Sequence, residues 1–185
     1  MSWFVLFAAG TVTLTPQSVA AEDVSAEAGV ILGEWNDLFF GFSYFSPDDD
    51  TGDHATVTPF KTELDPSGGV LRWSVHSVSG QADMKYTYEF PLSDLRRTTL
   101  ETAEFCGGCE KIPQGTAVHS IYIECAVDKD CVRYAAHQRV EGDWRPYLTD
   151  ELRHFVIDCP AESCGSLEEK LKAMARLYRV KRSGS

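Results

Sequence analysis

The residues best suited to chemistry in this chain of 185 are its six cysteines, Cys106, Cys109, Cys125, Cys131, Cys159 and Cys164. All fall in the second half and arrive as close pairs. A thiol pair can be a staple, a redox couple or part of a metal site, and the redox state of the compartment decides among these uses. Cys125 and Cys131 flank a polar turn, Ala126-Val127-Asp128-Lys129-Asp130, between two strand-like runs, so their side chains can meet across a hairpin. Cys159 and Cys164 bracket Pro160-Ala161-Glu162-Ser163, the link from a strand to the last helix. Cys106-Gly107-Gly108-Cys109 has the spacing of a dithiol couple. A reactive thiolate of that kind opens a helix whose dipole stabilises it. Here Glu110-Lys111-Ile112-Pro113 follows, too polar and too soon broken for such a helix.

The compartment is read from the N-terminus. Residues 3–14 form a mostly apolar run, followed by Pro16 and then Ser18-Val19-Ala20-Ala21. This pattern predicts a secretory signal over residues 1–20, with small residues placed for cleavage after Ala20 or Ala21. No Lys or Arg precedes the apolar run, so the α-amino group alone supplies the positive charge there. Export to a secreted or periplasmic location makes the even cysteine count read as disulfides. In a reducing compartment, Cys106, Cys109, Cys125 and Cys131 would instead make an all-thiolate zinc set, with His119 able to replace one of them.

The other concentration of reactive groups is the loop Asp48-Asp49-Asp50-Thr51-Gly52-Asp53. Asp48, Asp50 and Asp53 are candidate ligands for a hard cation. An EF-hand is excluded, since Gly52 falls one place early and Pro59 stands where the closing glutamate must be. Asp50-Thr51-Gly52 also spells the aspartic-protease triplet. That chemistry needs two carboxylates sharing a proton on apolar strands, and a single copy sits here between further aspartates. A G-x-S-x-G elbow, a P-loop and a G-x-G-x-x-G run are absent from the sequence. The reading is therefore a non-catalytic binding or structural domain with no cofactor. A thiol–disulfide protein using Cys106 and Cys109 is the enzymatic alternative.

The net charge is −11, and residues 1–20 carry none of it. Phosphate backbones and anionic headgroups are bound by Lys and Arg that replace counterions, so nucleic acid is excluded as a partner. No apolar run of 18 residues exists, so membrane insertion is not expected once the signal is removed. A protein or a small ligand is the expected partner.

These residues must be carried by a β-rich scaffold. Leu71, Trp73 and Val75 alternate with Arg72, Ser74 and His76, and Met84, Tyr86, Tyr88 and Phe90 alternate with Lys85, Thr87 and Glu89. Period two with aromatic and branched residues predicts half-buried strands. The expected strands are 56–64, 69–78, 84–90, 98–104, 117–126, 132–139 and 153–159. Residues 22–40 read as a short helix leading into a strand. A final amphipathic helix is expected over 166–179, opened by the capping box Ser166-Leu167-Glu168-Glu169, with Leu167, Leu171, Met174, Ala175 and Tyr178 on one face.

About seven antiparallel strands and one C-terminal helix predict a single domain over 21–185, a small barrel or sandwich. The element order is similar to that of pleckstrin-homology domains. Gly33-Glu34-Trp35 resembles the Gly-x-Trp with which lipocalins enter their first strand. That resemblance implies a lipocalin-like barrel carrying a small ligand as the alternative.

Overall fold

The computed structural model describes residues 16–47, 54–80, 82–101, 118–126 and 130–183. The chain opens with helix α1 (Pro16–Phe39) and continues through β1 (Tyr44–Pro47), β2 (His54–Asp65), β3 (Val70–Val78) and β4 (Asp83–Pro91). A short 3-10 turn, Leu92–Asp94, leads to β5 (Leu95–Glu101) and then β6 (Val118–Cys125), β7 (Val132–Val140), β8 (Asp143–Leu152) and β9 (His154–Pro160). Helix α2 (Ala161–Ser183) closes the described chain. Among the described residues the nine strands form a six-stranded sheet, β1-β2-β3-β4-β7-β8, and a three-stranded sheet, β5-β6-β9. Every pairing is antiparallel.

The fold is thus mainly β with a C-terminal helix, but its sheets do not close into a barrel. The lipocalin-like alternative falls with that, and Trp35 lies on α1 rather than on a strand. The apolar positions Val24, Ala28, Ile31, Trp35 and Phe39 recur at helical spacing and pack into one core. This periodicity carries α1 through the residues expected to lead into a strand. The helix stops at Gly41, whose φ of +74° is a left-handed conformation that costs glycine little.

Asn36 and Trp35 attach α1 to the edge of β2. β1 covers β2 only from His54 to Val57. Further along that edge, Thr62 N–H donates to Asn36 Oδ1 at 3.2 Å and Asn36 Nδ2 donates to the Thr62 carbonyl at 3.2 Å. The Asn36 amide therefore stands in for a neighbouring strand. The buried Trp35 Nε1 donates to Thr62 Oγ1 at 2.9 Å beside it.

Phe155 of β9 joins the two sheets. Its ring centroid lies 4.7 Å from Phe90, 5.3 Å from Tyr88 and 6.5 Å from Trp73, all on the larger sheet. A polar tie runs beside this joint. Asp158 of β9 accepts from Tyr44 Oη of β1 at 2.5 Å and from Ser120 Oγ of β6 at 2.7 Å. Leu167, Leu171, Met174 and Tyr178 of α2 complete the core.

α2 is longer than its sequence signals imply. It begins at Ala161, directly out of β9, so Ser166 lies inside the helix and caps nothing. Gly165 is likewise internal, and the Cys159–Cys164 bridge fastens this first stretch to the strand. The β2–β3 turn is fitted beneath the same helix. Gly69 has a φ of +63°, and a Cβ built there would clash with the Tyr178 ring.

Removing the Phe155 ring opens the joint between the sheets, so Phe155→Ala is expected to cost about 3–5 kcal/mol. Val156→Ala, at a neighbouring residue 41% exposed, is expected to stay within about 0.5 kcal/mol. Denaturant unfolding of the two variants checks the contrast.

Candidate functional site

The disulfide framework expected from the sequence is present at two of its pairs, Cys125–Cys131 and Cys159–Cys164. The first does not span a hairpin, because β6 belongs to the smaller sheet and β7 to the larger. It sits where the chain passes from β8 to β9 through Arg153 alone. There Cys125 N–H donates to the Arg153 carbonyl at 3.0 Å and Cys131 N–H donates to the Leu152 carbonyl at 3.1 Å. With Cys125 and Cys131 oxidised to each other, the four-thiolate zinc set is lost. Cys106 and Cys109 lie outside the described residues, as do Asp48, Asp50 and Asp53. Among the described residues no group of three or more His, Cys, Asp or Glu side chains is arranged to hold a metal ion.

Among the described side chains, the histidines do not assemble a proton-transfer site. His76 Nε2 pairs with Asp83 Oδ1 at 2.6 Å, and His154 stacks on Tyr122 at 5.2 Å. His119, half-buried on the face of Ile121 and Ile123, has its Nδ1 buried without a partner, as does His137. The hydroxyls of Tyr44, Ser120 and Thr98 donate to carboxylates, and those of Ser74 and Thr87 bond each other.

Open grooves lie on the described surface, two of them along β2. One of about 700 Å³ runs over Glu63, Arg72, Glu89 and Arg133. Its cations are already matched, with Arg72 Nε donating to Glu89 Oε1 at 2.6 Å and Arg133 standing 3.6 Å from Glu89 Oε2. The other, about 430 Å³, lies between Phe40 and Phe60, at the end of α1 and the irregularity of β2.

The most distinctive surface is the β7–β8 hairpin. Glu141 and Gly142 turn it with φ values of +55° and +93°. Two consecutive left-handed residues match the right-handed twist of the strands they join. β8 then runs along the outer edge of the larger sheet with none of its residues buried. Trp144 is 41% exposed, Tyr147 65% and Leu148 50%. Pro146 lies within the strand, where an edge tolerates a missing N–H, and Tyr147 is the extra residue where the register with β7 shifts.

Both faces of the hairpin are aromatic. On one face Tyr86 stacks on Tyr134 at 6.0 Å, and Tyr134 reaches Tyr88 at 5.2 Å, continuing the row that ends on Phe155. Burial, then the neighbouring phenols Tyr86 and Tyr147, push the Tyr134 hydroxyl up to about 12. On the other face Trp144 meets the His76 ring edge-on at 5.7 Å and lies 6.0 Å from the Arg139 guanidinium. Asp83 holds that pair in place, with Arg139 Nη1 3.6 Å from its Oδ2. The hairpin is therefore braced yet uncovered.

Sequence reasoning missed this site. The usable signal was Val140-Glu141-Gly142-Asp143, a two-residue turn ending in glycine, but Asp-Trp-Arg-Pro-Tyr-Leu after it lacks period-two alternation. No protein-family model, curated protein or solved structure matches the chain.

Two outcomes follow. The triple variant Trp144→Ser, Tyr147→Ser, Leu148→Thr removes contacts made at the surface, so it is expected to lose no more than about 1 kcal/mol of stability by thermal unfolding. The phenols respond to pH. Tyr44, Tyr88, Tyr134 and Tyr178 are all raised above the ordinary 10.0, burial being the largest cause for each. A phenol raised in the folded state keeps a proton that the unfolded chain releases. Its stabilising contribution is full below pH 10 and fades as pH climbs to the folded value, about 12 for Tyr134. Phenolate absorbance should show these four of the seven tyrosines ionising late, together with unfolding. Four groups ionising near pH 10 in folded protein would contradict it.

Proposed function

We propose that this chain is an exported, disulfide-stabilised, non-catalytic binding domain that takes a protein partner on its β7–β8 hairpin. The observation that carries this reading is β8 itself, a ten-residue strand with nothing buried that nonetheless displays Trp144, Tyr147 and Leu148. Exposed aromatics on a rigid support are the residues that supply contact area at small entropic cost. A hairpin fixed at both ends by sheet pairing and by the Asp83 brace is such a support.

Export is supported by the two disulfides, since Cys125–Cys131 and Cys159–Cys164 suit an oxidising compartment, and by the small residues Ser18, Ala20 and Ala21 that follow the apolar run of residues 3–14. Among the described residues no helix is long and apolar enough to cross a membrane.

Site-specific photocross-linking in the native cells tests the reading. A photoreactive side chain at Tyr147 or Leu148 is expected to give one discrete adduct, lost when Trp144→Ser is added. The same group at Val30, 65% exposed on α1, is expected to give none. Adducts that ignore position, or a chain retained with free thiols inside the cell, would overturn the proposal.

A further inference from the structure

We infer that the partner seated on β8 is a second copy of this chain, paired edge to edge about a two-fold axis that passes between Tyr147 and Leu148. This rests on the reading of the β7–β8 hairpin as a docking element and names what docks there.

β8 is the last strand of its sheet, so one side of its backbone has no neighbouring strand among the described residues. Its pairing with β7 fixes which way each side chain points. Gln138↔Arg145, Ala136↔Leu148, Tyr134↔Asp150 and Val132↔Leu152 lie on the face that carries the core. Arg139↔Trp144, His137↔Pro146, Ala135↔Thr149 and Arg133↔Glu151 lie on the opposite face. The extra residue Tyr147 is what puts Arg145 and Asp150 on the same face although an odd number of positions separates them.

Now place a second β8 antiparallel to the first. Side chains that meet across an antiparallel pair must share a face. Centring the axis on the bulge satisfies this throughout: Asp143 faces Leu152, Trp144 faces Glu151, Arg145 faces Asp150, Pro146 faces Thr149, and Tyr147 faces Leu148. By two-fold symmetry each contact is made twice. Arg145 is the sole cation of β8, and this alignment sets it against a carboxylate on its own face in both directions. Shifting the strands by two residues one way sets Asp143 against Asp150, and shifting them the other way sets Arg145 against Leu152. The centre is apolar, with Tyr147 and Leu148 of one copy closing on Leu148 and Tyr147 of the other.

The features that protect this edge also select the alignment. Pro146 offers no N–H and the bulge bends the strand, which discourages pairing with an arbitrary extended segment. In the two-fold register the proline meets Thr149 alone, and each bulge meets the other. Arg145 is held in the single chain by Glu141 at 3.4 Å, with both side chains mostly exposed. Such a surface pair is weak and is readily exchanged for Asp150 of the second copy. Asp150 accepts the Glu151 N–H on Oδ1, which leaves Oδ2 to receive the guanidinium. An interface confined to one strand pair and its flanking side chains belongs to the small, concentration-dependent class.

Sedimentation equilibrium of the disulfide-intact chain, from about 1 µM to about 1 mM, reads the association directly. A monomer–dimer equilibrium is expected. Arg145→Asp sets like charges against each other twice, and so does Asp150→Arg. Each is expected to raise the dimer dissociation constant about tenfold or more. The double variant Arg145→Asp/Asp150→Arg restores both pairs and is expected to return the constant to within about threefold of the original. Circular dichroism confirms that each variant folds, which exposed positions permit. A chain monomeric throughout, or a dimer indifferent to the single reversals or not rescued by the double one, overturns the inference. In the photocross-linking experiment, a Tyr147 adduct that is not twice the chain's mass would leave the hairpin reading standing while removing this one.

Discussion

Two sheets with separate hydrogen-bond ladders have to be held together by side chains, and in this protein that work converges on Phe155. It follows closely on the point where the chain leaves the larger sheet, since β8 ends at Leu152 and β9 begins at His154. Its ring contacts Trp73, Tyr88 and Phe90, which come from two adjacent strands of the facing sheet. Phe90, Ile123, Ile157, Leu171 and Met174 are then buried around it in one continuous core. Without this aromatic joint the larger sheet would expose the face that carries Trp73, and α2 would have only part of a surface to pack on.

The covalent links lie around the same joint. Cys125–Cys131 ties the end of β6 to the start of β7, across the corner at which β8 turns into β9. Cys159–Cys164 ties the end of β9 to α2. Each encloses a short loop, so its effect on unfolded-chain entropy is modest, about 3 kcal/mol or less. Their greater consequence is geometric. They fix both ends of the smaller sheet relative to the elements that cover it, and the first half of the chain, which has no cysteine, is held by packing and by the Trp35, Asn36 and Tyr44 hydrogen bonds.

The parts of this fold that sequence made legible are those where one face is buried and the other wet. All seven expected strands are present; β9 alternates in burial along its length, and β3 and β6 do so apart from the buried Ser74 and Ser120, while β4 is half-buried through its middle. β5 starts at Leu95, ahead of the expected residue 98, because Leu92 and Leu95, apolar residues at a turn, enter the core. β1 and β8 were not legible. β1 is a four-residue edge strand, and β8 is wet on both faces, so neither carries a period of two. Helix signals misled in the other direction. Gly33-Glu34-Trp35 has the letters of a strand opening, yet the Val24 to Phe39 periodicity makes it helix; Ser166 to Glu169 has the letters of a cap, yet the helix had already begun. The candidate site was illegible for the same reason as β8, because a strand with no buried residue leaves no pattern of burial to read.

That last point also explains why the hairpin can serve as an interaction surface without endangering the fold. Exposed apolar strands at a sheet edge are a hazard when they are flat, continuous and free of charge. β8 is none of these. Pro146 and the irregularity at Tyr147 interrupt it, and Asp143, Arg145, Asp150 and Glu151 are spaced along it. Trp144 is held against Arg139 and His76 by a brace anchored on Asp83, which limits how much of the ring is open to chance pairing. Stability comes from the joint at Phe155, and the recognition proposed for the hairpin lies at the larger sheet's edge, two strands beyond Tyr88. Substitutions at the hairpin can therefore alter what the molecule meets while the core that supports it stays the same.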